Sequence, residues 1–122
     1  MTDKKKLGAA ILLCATVGGW SGATLADHFT GACAIQLNAT ETAIQTAIFL
    51  GRNASTDRTN LLAKLQAAGA KVGLTKYSDA VDKLQNISDT ATALANAPKP
   101  KIEDASGINA AVVTAIGCVG AL

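Results

Sequence analysis

The stretch ASGINAAVVTAIGCVGAL, residues 105–122, carries no charged side chain and places Cys118 four residues from the end of the chain. Whether it is a buried helix, a membrane segment or a tail exchanged for a lipid anchor decides what kind of protein this is. In helical register Ile108, Ala111, Val112, Ala115, Ile116 and Val119 share one face, because positions three and four apart stack on a 3.6-residue helix. Ala110, Val113 and Thr114 leave the opposite face small and almost apolar, so the helix is expected to be covered on most sides. Asp104 or Ser106 can cap its free amides, and Glu103 with Asp104 complements the positive end of its dipole. Eighteen residues is the lower limit for a bilayer crossing, Asn109 interrupts the run, and four positions are glycine or threonine. A helix buried in a bundle is the expected outcome.

The other end of the chain reads as a secretory leader. Met1 to Lys6 holds three lysines and one aspartate, and residues 7–26 are uncharged, which is the order of an n-region and an h-region. Small residues permit cleavage after Ala23 or Ala26, and the second, with Thr24 at the third position back, is preferred. An uncleaved anchor is the alternative, since twenty uncharged residues approach one bilayer thickness. Gly18, Gly19 and Gly22 weigh toward processing, and Leu13 before Cys14 does not suit a lipoprotein signal. Residues 1–26 are therefore assigned as a signal peptide and residues 27–122 as one helical domain, secreted or held at the cell surface. Without the leader eight basic and eight acidic residues remain, so the net charge of +2 belongs to the leader. Nucleic acid is not an expected partner.

Export gives the two remaining cysteines a meaning. Cys33 lies near the start of the mature chain and Cys118 near its end, and an oxidising compartment favours a bond between them. Closing a loop of nearly the whole domain is worth about 4–5 kcal/mol in the chain-entropy account. A reactive or metal-binding pair is the rival, without a CxxC spacing or neighbouring histidines to support it.

Between the cysteines the periodicity predicts three further helices. The first spans residues 34–50, with Leu37, Ala43, Ile44, Ala47, Ile48 and Phe49 inward and Thr40 and Gln45 on the other face, and it stops at Gly51. The second spans residues 57–70, capped by Ser55 or Thr56, with Leu61, Leu62, Leu65 and Ala68 inward. Gly69 and Gly73 loosen its end, and residues 71–75 read as a turn. The third shows the clearest seam, Tyr77, Val81, Leu84, Ile87, Ala91 and Leu94, with Ser78 as its cap and an Asp79–Lys83 pair on its wet face. Pro98 and Pro100 end it, and residues 99–104 form an extended, charged connector. Four helices with short connections give an all-α fold, a small antiparallel four-helix bundle in which the first and last helices are neighbours. That topology and a Cys33–Cys118 bond support each other.

The sequence points to no catalysis and to no cofactor. It has one histidine, His28, and no GxSxG, HExxH or phosphate-loop pattern. Asp79, Asp82 and Asp89 read as a solvated face. Next to a new N-terminus at Asp27, His28 could hold copper or nickel weakly, although an exposed histidine on a loose end is the preferred reading, and no metal site is assigned. Asn38, Asn53 and Asn86 each begin an N-x-S/T triplet and are glycan acceptors if the source is eukaryotic, Asn53 in its turn being the best exposed.

The composition leads to a secreted or cell-surface protein with a structural or binding role, whose partner is a protein or surface not identifiable from the sequence. One alternative is a carrier of lipophilic ligands or a membrane-associated oligomeric pore, in which Ala110, Ala111, Ala115 and Gly117 leave an internal cavity or let copies pack in lipid. Another is a lipid-anchored eukaryotic surface glycoprotein. Ala95 to Ala97 would supply its small attachment residues, residues 98–109 a polar spacer and residues 110–122 an apolar tail. Pro98 and the loss of Cys118 weigh against that layout.

Overall fold

Four helices form in chain order, α1 (Ala34–Thr46), α2 (Ala54–Gly73), α3 (Tyr77–Ala95) and α4 (Ser106–Gly120). The structure, a computed structural model, describes residues 29–122; the leader, Cys14 and His28 lie outside the described residues. Each helix packs on the next and α4 returns against α1, closing a ring of four. Extended pairing among the described residues is confined to one antiparallel bridge between Phe49 and Ile102.

The two helices nearest the ends of the described chain, α1 and α4, are adjacent without a turn joining them, and they are tied at both ends. At one end the Cys33–Cys118 disulfide joins the N-cap of α1 to the last turn of α4, with the Cα atoms 5.9 Å apart. At the other, the Leu50 amide donates to the Lys101 carbonyl and the Glu103 amide to the Ile48 carbonyl, both at 2.9 Å. Ile102 is thereby fully buried beneath the bundle, although it lies in a connector otherwise rich in charge.

Small and branched aliphatic side chains make the core. Leu37 and Ile44 of α1, Leu61 and Leu65 of α2, Leu84 and Ile87 of α3, and Ile108, Val112 and Val119 of α4 are each at most 1% exposed. Ala68, Ala80, Ala91 and Ala115 are fully buried between them. Alanine at helix contacts lets the backbones come close, because interaxial distance follows the size of the contacting side chains.

Several local expectations are corrected. The first helix ends at Thr46, not at residue 50, because Ala47 turns to an extended ψ of 146°. In extended backbone successive side chains point to opposite sides, so Phe49 enters the core while Ile48, expected inside, is 55% exposed. Thr40, expected on the wet face, is fully buried and satisfies its hydroxyl by donating to the Gln36 carbonyl at 2.9 Å. α2 starts three residues earlier than expected, so Ser55 and Thr56 lie inside it; Asn53 holds the N-cap position without a side-chain capping bond.

The glycines of α2 do not end it. The helix continues through Gly69 to Gly73, because Val72 adds another core position at 7% exposure. At Gly69 an added Cβ would sit 2.5 Å from Cε1 of Phe29, so the missing side chain is what lets that ring lie on the helix. Ser78 is likewise not a cap; Lys76 precedes α3. Ala105 holds the N-cap position of α4 without a side-chain bond, and Asp104 just before it accepts the Ser106 amide at 2.8 Å.

Two outcomes follow from these ties. Replacing both cysteines, Cys33→Ser with Cys118→Ser, is expected to lower the unfolding free energy by about 3–5 kcal/mol. Urea denaturation of the double variant measures it, and an unchanged midpoint would show that the bond constrains nothing. At α4, the Ser106 amide, helped by its hydroxyl, holds the exposed Asp104 carboxyl below the usual carboxylate range. A lowered folded-state pKa means that this contact stabilises fully above the ordinary carboxylate value and is lost as pH falls through the lowered one. Carbon-detected NMR titration of Asp104 should give a midpoint below that of an unstructured aspartate, and Ser106→Ala, which removes the hydroxyl and keeps the amide, should raise it part of the way.

Candidate interaction surface

Charge is divided unevenly around the ring. The described helices place Asp57, Arg58, Lys64 and Lys71 on α2 and Asp79, Asp82, Lys83 and Asp89 on α3. On α1 the single charged residue, Glu41, is buried at 4% exposure, and α4 has none. The solvent-facing sides of α1 and α4 are therefore free of charge. Ile35 stands 80% exposed on α1 and Val113 66% exposed on α4. Ala39 and Thr42 of α1 and Ala110, Thr114 and Gly117 of α4 are exposed as well.

This corrects the expectation that the last helix is covered on most sides. Ile108, Val112, Ala115 and Val119 point inward as the period requires, and Ala111 and Ile116 are half-buried, but the small face opposite them is open. Ala110 and Gly117, considered above as walls of an internal cavity, face solvent. Asn109 finds its place at the α3 contact, accepting from the Ser88 hydroxyl at 2.9 Å and donating to the Thr92 hydroxyl at 3.1 Å.

On the opposite side an open groove of about 610 Å³ runs between α2 and α3, lined by Ala63, Lys64, Ala67, Lys71, Asp79, Asp82, Lys83 and Asn86. A second depression of about 400 Å³ shares Ala63 and Lys64 with it and reaches Asp57, Asn60, Thr90 and Leu94. Lys64 and Lys71 line its α2 side and Asp79, Asp82 and Lys83 its α3 side, the last three exposed to solvent. Water and salt screen attractions between such exposed charges.

The three asparagine triplets fall into different settings. Asn38 is engaged at both ends of its amide: Oδ1 accepts the Phe29 amide at 2.8 Å and Nδ2 donates to the Phe29 carbonyl at 3.1 Å. Thr40, the hydroxyl residue of that triplet, is buried. Asn86 is exposed on α3, but Ser88 of its triplet is bonded to Asn109. Asn53 and Ser55 are both exposed, at the turn that opens α2.

Sequence reasoning did not single out Arg58. Its guanidinium lies 4.9 Å from the centre of the Phe49 ring and one terminal nitrogen donates to the Ala47 carbonyl at 3.2 Å, a cation–π contact that closes the end of α1. The arginine and the phenylalanine are nine positions apart with a turn between them, and no motif links such a pair. Groups of three or more histidine, cysteine or acidic side chains able to hold a metal do not occur among the described residues. No helix among them is long and apolar enough to cross a membrane. Compared with protein-family models, with curated proteins and with solved structures, the chain matches none.

Proposed function

We propose that this chain is an exported helical protein, secreted or held at the cell surface, that acts by presenting a binding surface and carries out no chemistry. The observation that carries the reading is the Cys33–Cys118 bond between the first and last helices, since disulfides of this kind persist in oxidising compartments. A leader in residues 1–26, with three lysines before an uncharged run, agrees with the same route. The uncharged face of α1 and α4 supports a role in contact over a role in catalysis. Four inward side chains of α4, together with the Cys118 bond, favour a retained C-terminal segment over the lipid-anchored alternative.

The non-reduced chain, isolated from its native compartment, is expected to weigh two hydrogen atoms less than the reduced chain and to resist alkylation at Cys33 and Cys118. Two free thiols in the isolated protein would sink the proposal. Asn53 is the preferred glycan acceptor if the protein meets an oligosaccharyltransferase, because it is exposed, makes no side-chain capping bond to α2, and its hydroxyl residue is open. After secretion from a eukaryotic host, peptide mapping with enzymatic deglycosylation should convert Asn53 to aspartate and leave Asn38 unmodified. Modification of Asn38 in preference to Asn53 would reverse that order.

A further inference from the structure

We infer that the end of the bundle nearest the disulfide docks on an anionic lipid surface, with Leu74 and Ile35 entering the headgroup boundary and Lys71 and Lys76 meeting the phosphates. The inference rests on the reading of an exported protein that acts through a surface, and it names the partner.

The turn between α2 and α3 forms the tip. The Lys76 amide donates to the Lys71 carbonyl at 2.8 Å and the Thr75 amide to the Val72 carbonyl at 3.0 Å, the paired bonds of a Schellman helix stop. Two features of this stop are unusual. Its left-handed position, which glycine ordinarily takes, holds Thr75 at φ 59°, a strained conformation for a β-branched residue. The two positions that ordinarily close such a stop by an apolar contact are Lys71 and Lys76, and Leu74 between them is 61% exposed. An aliphatic side chain flanked by lysines suits a membrane interface, where the apolar group enters the acyl boundary and the ammonium groups reach the headgroup layer on their long stems.

Ile35 belongs to the same end. Phe29 touches both α1 and α2: its amide and carbonyl are held by the Asn38 side chain, and its ring lies on Gly69. Asn38 and Gly69 are therefore close to one level along the bundle. Ile35 is three residues beyond Asn38 toward this end and Leu74 five beyond Gly69, rises of roughly 4.5 and 7.5 Å. Ile35 is 80% exposed, and its Cβ tilts toward the start of α1, outward from the bundle end.

Charge and chain direction select the occupant. Lys71 and Lys76 are opposed at this end by Asp79 in the first turn of α3, while the first turn of α1 and the last turn of α4 carry no charge. Anionic lipid attracts each such lysine within about a Debye length of its surface. A second copy docked end to end by a two-fold axis would instead bring these lysines toward their own counterparts. The rest of the chain also joins the bundle here: residues 7–26 carry no charge and end three residues before Phe29, a reach of at most about 10 Å. With that run in a bilayer, as a leader before cleavage or as an anchor, this end is the one held against lipid.

Cosedimentation with vesicles tests the contact. The chain isolated from its native compartment is expected to pellet with phosphatidylcholine–phosphatidylglycerol vesicles, to pellet less with phosphatidylcholine alone, and to lose the difference as salt is raised to about 0.5 M. Leu74→Ser should weaken binding by at least about tenfold, and Lys71→Gln with Lys76→Gln should remove the preference for phosphatidylglycerol. Ile48→Ser, at the opposite end and 55% exposed, should bind like wild type. All of these variants should keep the helical circular dichroism and the disulfide. Failure to pellet with phosphatidylglycerol vesicles at millimolar lipid overturns the inference, and so does binding indifferent to Leu74→Ser. A dimer in the absence of lipid that Leu74→Ser dissociates would assign the tip to a second copy and overturn it too. An unbound chain with its disulfide intact would leave the export reading standing, whereas free thiols in a chain that binds vesicles would remove that reading alone.

Discussion

The contact between α1 and α4 is the constraint on which the rest of the bundle depends. Every other neighbouring pair in the ring is joined by a connector, which holds the two helices close whether or not their side chains pack. α1 and α4 have only the contacts they make, and they meet after a sequence separation of 85 residues between Cys33 and Cys118. Bringing such distant segments together carries a loop-closure cost that rises with the logarithm of length. A covalent bond at one end and two backbone hydrogen bonds at the other fix the pair in register.

The composition of the core explains why such ties matter. Within the described residues the aromatic side chains are Phe29, Phe49 and Tyr77, of which only Phe49 is buried, and fully buried alanines occupy places where a thicker core would carry leucine or phenylalanine. Burial contributes in proportion to apolar area removed from water, so an alanine-rich interior contributes less per residue. Close backbone approach compensates in part through dispersion. Phe49 and Ile102 concentrate apolar area at the end of the bundle away from the disulfide. The Arg58 guanidinium covers that ring and uses the Ala47 carbonyl released where α1 stops.

Much of this was legible in the sequence because helical period and cysteine placement are long-range signals. The four helices, their inward faces and the disulfide pairing follow from Leu61, Leu65, Leu84, Ile87, Ile108 and Val112 at three- and four-residue steps, with Cys33 and Cys118 bracketing the set. The errors are local and share a cause. Ile48, Phe49 and Leu50 are apolar in a row, so periodicity alone could not tell the last turn of a helix from an extended segment; a single bridge from Phe49 to the distant Ile102 decides it. Gly69 and Gly73 have low helix propensity, yet packing of Phe29 and Val72 outweighs the roughly 1 kcal/mol that each glycine costs. The triplet at Asn38 could not reveal that its amide is occupied by the backbone of Phe29.

The open side of α4 has the most consequence for function. Uniform apolarity around a helix is a signal of burial on all sides, and by that rule the segment should lie at the centre of something. In the four-helix ring it does not: each helix has two neighbours and an outward side, so a helix with apolar or small residues all round must leave some of them in water. α2 and α3 resolve this with lysines and aspartates on their outward sides, whereas α1 and α4 do not. Nothing in the packing of the ring requires that difference, because an outward position makes no contact inside it. Gly117 makes the same point alone: a side chain there would meet open space, so close packing within the ring does not account for the glycine. The small, uncharged outward residues of α1 and α4 are therefore not explained by packing within the ring.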